Sequence, residues 1–199
     1  NKPVFVATGA STEKEVDLVV KLLKKINKNI CLMQCNTNYT GSVDNLKYLN
    51  LNIISKYKNK YKIITGLSDH TPGDLSVIVA VALGARVIEK HFTDDNKRVG
   101  PDHYFSMNPK TWKKMVQKVR NLEISLGDGK KKIEKNELET SILQRRSVMV
   151  NKDIKKGNVI KKGDLIYLRP NVKNGFQPYE LSKILGKKLK VNKYKNQAI

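Results

Sequence analysis

Cysteine is nearly missing from this sequence: only Cys31 and Cys35 occur. Both fall on one expected strand, as same-face neighbours too distant to bridge. A disulfide framework is therefore excluded, and reduced thiols in a cytoplasmic protein are expected. No Cys cluster has the spacing of a zinc site. No apolar run approaches the ~20 residues of a membrane span, and no signal-peptide pattern is visible. P-loop and Gly-x-Gly-x-x-Gly motifs are absent, which removes the common signatures of phosphate cradling by glycine. Aromatic residues are few and never interleave with a basic stripe. The excess of 39 Lys and Arg over 18 Asp and Glu, a formal net charge of +21, is thus no argument for nucleic acid. The lysines are spread along the chain beside many asparagines and isoleucines, as codon bias on exposed faces would leave them. An anionic substrate is equally compatible with that charge.

What is present is a regular alternation of strand and helix. Residues 2–9 form a short apolar strand ending in Thr8-Gly9, and its abrupt start predicts truncation. Thr12 and Glu15 have capping-box spacing, and Val16, Val19, Val20 and Leu23 follow at helical intervals. Ile30 to Asn36 is a continuous apolar run, as in a parallel strand buried on both faces. Leu46, Leu49, Ile53, Ile54 and Tyr57 mark a second helix, Tyr61 to Gly66 a third strand, Asp74 to Leu83 a third helix and Ala85 to His91 a fourth strand. Asn108 reads as an N-cap with Pro109 at the first helical position, ahead of an apolar face of Trp112, Met115, Val116, Val119 and Leu122. The order β-α-β-α-β-α-β-α fits half of a (β/α)8 barrel or a small doubly wound sheet; both place a site at the C-terminal strand ends. Residues 127–141 read as a linker. Residues 142–199 form a small β-rich module, with short strands at 148–150 and 166–170 and a helical turn at 180–186, cut short at Ile199.

Two stretches, Gly66-Leu-Ser-Asp-His-Thr71 and Val87-Ile-Glu-Lys-His-Phe-Thr93, dominate the functional reading. Each is a strand that ends in histidine. Strand side chains alternate faces, so Ser68 shares a face with His70, and Glu89 with His91. Either each histidine is a hydrogen-bonded strand-end residue, or the two bind a divalent metal and leave positions open for water and substrate. Asp102, in Gly100-Pro-Asp-His103, is either a plain turn residue or a carboxylate held toward a polyol. Thr37 and Tyr39 follow the second strand and overhang the same edge. Arg169 matters only if the small module reaches over a site.

Four motifs in order, residues 66–71, 88–93, 100–103 with Phe-Ser-Met after it, and Arg145-Arg146-Ser147 followed by Lys152 to Gly157, make the chain resemble the N-acetylneuraminate (sialic acid) synthase family, which includes legionaminic and pseudaminic acid synthases. The resemblance implies an α/β fold: the C-terminal half of a (β/α)8 barrel, residues 1–126, followed by an antifreeze-like (SAF) domain. It implies a domain-swapped homodimer and no nucleic-acid or membrane partner. It implies metal-dependent condensation of phosphoenolpyruvate with an N-acyl-mannosamine-type sugar, giving a nine-carbon 2-keto acid and phosphate. By position, His70 and His91 match metal ligands for Mn²⁺, with Mg²⁺ or Co²⁺ as alternatives. Thr37 and Ser68 match contacts to phosphoenolpyruvate, and Tyr39 and Asp102 contacts to the sugar. Arg169 matches the arginine that reaches the N-acyl group from the partner subunit. Glu89 and Asp102 are the catalytic candidates. Two departures stand out: Ala7 replaces a serine common near the phosphate, and Tyr39 lacks the proline that often follows it. Without the first barrel half, the chain alone is expected to be inactive. The competing expectations are an aldolase that releases no phosphate, and a non-catalytic remnant.

Overall fold

The structure, a computed structural model, describes residues 2–199. The chain divides into two compact units, residues 1–129 and 130–199. In the first, β1 (Val4–Ala7), β2 (Ile30–Cys35), β3 (Ile64–Asp69) and β4 (Val87–Lys90) form a parallel sheet in the order β1-β2-β3-β4. Helices α1 (Glu13–Ile26), α2 (Asn52–Tyr61) and α3 (Leu75–Ala82) connect them, and α4 (Pro109–Ser125) follows. Sequential parallel strands joined by helical crossovers curl into a half-barrel, the first of the two architectures that the strand–helix alternation allows.

Local chemistry sets the ends of these elements. The Thr12 capping box is present: the Thr12 amide donates to Glu15 Oε2 at 2.7 Å, and the Glu15 amide donates back to Thr12 Oγ1. Asn108 caps α4, with Thr111 N donating to its Oδ1 at 2.9 Å and Pro109 in the first turn. All six residues of β2 are buried, as its unbroken apolar run requires.

Three expectations are corrected. Tyr61 belongs to α2, not to a strand; the helix stops at Lys62, whose φ of 54° is the left-handed stop. Tyr61 is buried against Val16, Val20, Leu32 and Tyr57 and donates its hydroxyl to Asp17, so packing decides its conformation. The apolar series from Leu46 to Tyr57 is two elements, a 3₁₀ turn at Val43–Tyr48 and then α2, separated by Asn50 at φ 45°. Val19 is 42% exposed although Val16 and Val20 are buried, because α1 turns a narrower stripe to the sheet.

The outward face of β3 packs on the helices: Leu67 joins Ile54, Ala80 and Ala85 in a fully buried cluster. The inward face is small. A Cβ at Gly66 would stand 2.5 Å from the Val87 carbonyl oxygen, so only glycine lets β4 approach here.

In the second unit, β5 (Ser147–Val150) pairs antiparallel with β6 (Leu165–Leu168). Val148, Val150, Ile154, Ile160, Ile184 and Leu189 make its core. The final residues are part of it: Ile199 N donates to Val148 O, and Ile199 O accepts from Phe176 N. The stretch 127–141 contains a 3₁₀ turn at Lys135–Glu137 and the start of α5 (Leu138–Gln144). The helical turn expected at 180–186 is a 3₁₀ turn at Pro178–Lys183.

Candidate active site

Strands β3 and β4 run parallel in register, with Ser68 opposite Glu89 and Asp69 opposite Lys90. One residue later, both chains leave the ladder and present His70 and His91 on the inward face. The two imidazoles stand with centroids 5.1 Å apart at an interplanar angle of 74°. His70 is buried, and its Nδ1 lies 2.9 Å from the carbonyl oxygen of Asn36. A carbonyl can only accept, so Nδ1 carries a proton, and in the neutral ring Nε2 is the nitrogen with the lone pair. The Cys35 thiol lies behind the ring, 4.0 Å from the same nitrogen.

His91 Nδ1 faces Asp102 Oδ2 at 3.6 Å, an ion-pair distance longer than a hydrogen bond. Burial, and then the neighbouring His70, push the His91 pKa below the usual imidazole value; Asp102 opposes them. The neutral ring, the form that binds metals, is thereby favoured. Asp102 sits at φ 68°, a left-handed conformation that aspartate tolerates, and its carbonyl accepts from Ser106 N and Oγ.

Tyr39 closes one wall, its ring centroid 4.1 Å from His70 and 5.6 Å from His91. Phe105 closes another, 5.2 Å from His91. The Phe105 ring also presses on Gly41: a Cβ there would meet it at 2.5 Å, so the tyrosine loop needs glycine at this position. Ser68 donates its hydroxyl to Glu89 Oε1 at 2.8 Å. Thr37 leans over Gly9, where an added Cβ would fall 2.2 Å from the Thr37 methyl. The first unit thus gathers His70, His91, Tyr39, Asp102, Ser68 and Glu89 at one end of the sheet. Arg169 belongs to the second unit, where its Nε donates to Gln144 O at 2.7 Å.

Among the described residues no third His, Cys, Asp or Glu joins the histidines as a metal-binding group. The donor set still fits a catalytic divalent ion. Nδ1 of each ring faces an oxygen of the protein, and two protein ligands leave positions for water and substrate.

Sequence reasoning missed Asp69 and Lys90. On the opposite face of the same strands they form an ion pair of 2.6 Å, with side chains 0% and 1% exposed. The available signal was that each residue immediately precedes one of the two histidines, at matching register and with opposite charge.

The family model described as NeuB family matches residues 1–131, and that of the SAF domain matches residues 145–199. The N,N'-diacetyllegionaminic acid synthase of Legionella pneumophila is 39% identical over 195 residues, 96% of this chain and 53% of its own. A pseudaminic acid synthase of Campylobacter jejuni is 37% identical over 188 residues, covering 94% of this chain and 53% of its own. The crystal structure of an N-acetylneuraminic acid (sialic acid) synthetase from Leptospira borgpetersenii superposes with a TM-score of 0.62 at 32% identity, over 69% of this chain and 47% of that one. The chain spans about half the length of the curated relatives it matches.

Proposed function

The chain belongs to the NeuB family of sialic-acid-type synthases, and from that premise we propose that it carries the metal-binding end of an enzyme condensing phosphoenolpyruvate with an N-acyl-mannosamine-type sugar. The observation that carries the reading is the facing pair His70 and His91, each with Nδ1 turned to a protein oxygen. A divalent cation held there, Mn²⁺ or else Mg²⁺ or Co²⁺, would supply Lewis acidity toward the oxygen of the sugar aldehyde.

The chain's own residues then position and exclude. C3 of phosphoenolpyruvate forms the new bond to the aldehyde carbon, water adds at C2, and the C2–O bond to phosphate breaks. Water supplies the oxygen of the 2-keto acid. The Tyr39 and Phe105 rings wall the imidazoles on two sides and keep bulk water from that flank. The Ser68 proton is committed to Glu89 in the free chain. To donate to phosphoenolpyruvate, Ser68 must turn from Glu89, which leaves Glu89 able to take a proton from the attacking water. Thr37 is assigned to phosphoenolpyruvate and Tyr39 to the sugar. Asp102 serves the sugar hydroxyls from its left-handed turn while facing His91. Arg169 is assigned to the N-acyl group of a sugar in the partner subunit of a domain-swapped, cytoplasmic homodimer.

The test joins this chain to an upstream barrel half and follows phosphate release from phosphoenolpyruvate with N-acetylmannosamine and diamino-sugar analogues. Sugar-dependent release that EDTA abolishes and Mn²⁺ restores is expected, and His70→Ala should remove it. Sugar consumption with pyruvate in place of phosphoenolpyruvate, and no phosphate release, would move the assignment to an aldolase; full turnover in His70→Ala would refute the site.

A further inference from the structure

The buried ion pair Asp69–Lys90 lies outside the site, yet its members are the residues immediately before the two histidines. The β3–β4 ladder ends at this pair. Beyond it no sheet hydrogen bond fixes His70 against His91. Main-chain bonds hold the far side of His91, where Met107 N donates to the His91 carbonyl at 2.9 Å. The His70 ring is held by the Asn36 carbonyl, and the backbone that carries it by side chains. Asp69 Oδ1 accepts from Thr71 N at 2.9 Å and from Thr71 Oγ1 at 2.8 Å, which clamps the backbone on both sides of the imidazole. Asp69 Oδ2 accepts from Lys90 Nζ at 2.6 Å and also from Ser76 Oγ on α3. Lys90 Nζ makes a second short bond to the Thr71 carbonyl. One ammonium thus ties the turn that carries His70 to the strand that carries His91. A buried ion pair is weak support for stability as such, since desolvation opposes the attraction, and fixing one arrangement is its better-attested use.

We propose that Asp69 and Lys90 are positioning residues: together they set the separation and angle of the His70 and His91 imidazoles, and hence the affinity of the divalent-cation site. The proposal rests on the metal reading of those histidines, and the experiment separates the two.

Single variants would strand a buried charge, so the test uses the near-isosteric double variant Asp69→Asn/Lys90→Met in the full chain. The asparagine oxygen can still accept from Thr71. Two readouts are taken. The first is Mn²⁺ binding, followed by loss of the free-ion EPR signal. The second is the ring-to-ring NOE between His70 and His91 in the metal-free chain, assignable because the sequence holds 3 histidines. Leu67→Ala, a core change on the same face of β3, controls for lost stability. The expected result is Mn²⁺ affinity lower by about 10- to 100-fold and a lost ring-to-ring NOE in the double variant. The β3–β4 amide contacts should persist, and the control should keep both signals. An unchanged NOE and unchanged affinity in the double variant would overturn the proposal, as would equal losses in the control. If the unsubstituted chain binds no Mn²⁺, the metal reading falls, and the NOE alone decides whether the pair positions the rings.

Discussion

Leu67 lies inside the motif that bears His70, but its side chain points away from the site and is 0% exposed among Ile54, Ala80 and Ala85. Leu67→Ala removes three carbons, a transfer cost of about 2.4 kcal/mol at ~0.8 kcal/mol per methylene. Two of its neighbours are alanines, which cannot extend into the space, so a cavity cost adds and the total should reach about 3–5 kcal/mol. The assay is urea unfolding followed by tryptophan fluorescence. The sequence holds 1 Trp, Trp112 on α4, so the signal reports the first unit alone. With a slope of about 2 kcal/mol per M, the midpoint should fall by about 1.5–2.5 M. Mn²⁺ affinity measured below the transition should stay within about twofold, because additive behaviour is expected of sites that share no partner. A midpoint shift under about 0.5 M at unchanged slope would refute the packing argument.

Gly66→Ala should lower the thermal midpoint and push β4 away, since the new Cβ would stand 2.5 Å from the Val87 carbonyl oxygen; a crystal structure of the variant with unmoved β4 would contradict this. Burial pushes the Cys31 thiol pKa up to about 11 and raises that of Cys35 as well, so both stay protonated at pH 8 and should react with a thiol reagent only on unfolding. Stoichiometric labelling of the folded chain within minutes would show that reasoning to be wrong. Asp164 has its pKa lowered by its ion pair with Lys152 and by the Lys161 amide. A depressed folded value contributes stability that is present above the unfolded value and is lost as pH falls through the folded one. Asp164→Asn should therefore weaken the second unit at neutral pH and flatten its loss of stability below about pH 4; an unchanged acid limb would exclude the linkage.

The sequence disclosed most of the half-barrel because its periodicities are unambiguous. Ile30 to Cys35 could only be a doubly buried strand, and Thr12 and Asn108 announced their helices. It was less informative where packing overrides local pattern. Tyr61 carries a strand-like signal but is held in α2 by Asp17 and by the Val16–Tyr57 cluster. Of the site, face alternation placed Ser68, His70, Glu89 and His91 together. Asp102 was legible as a residue, but its approach to His91 was not, because that depends on a left-handed φ in an irregular loop. Asp69 and Lys90 escaped because charged residues on a strand are ordinarily read as solvated, and burial of a pair is a property of the helix packed above it.

The two histidines differ in what it would take, genetically, to misorient them. The acceptor for His70 Nδ1 is the main-chain oxygen of Asn36, which every amino acid at position 36 would supply. The Asn36 side chain shapes its loop, donating to Tyr48 O and accepting from Asn38 N, but the bond to His70 itself asks only for the backbone. The oxygen opposite His91 Nδ1 is the side chain of Asp102, which a single nucleotide change can delete. Among descendants of this sequence, the first imidazole should keep its tautomer through many substitutions in its loop, and the second should be the one whose orientation varies with its neighbour's identity.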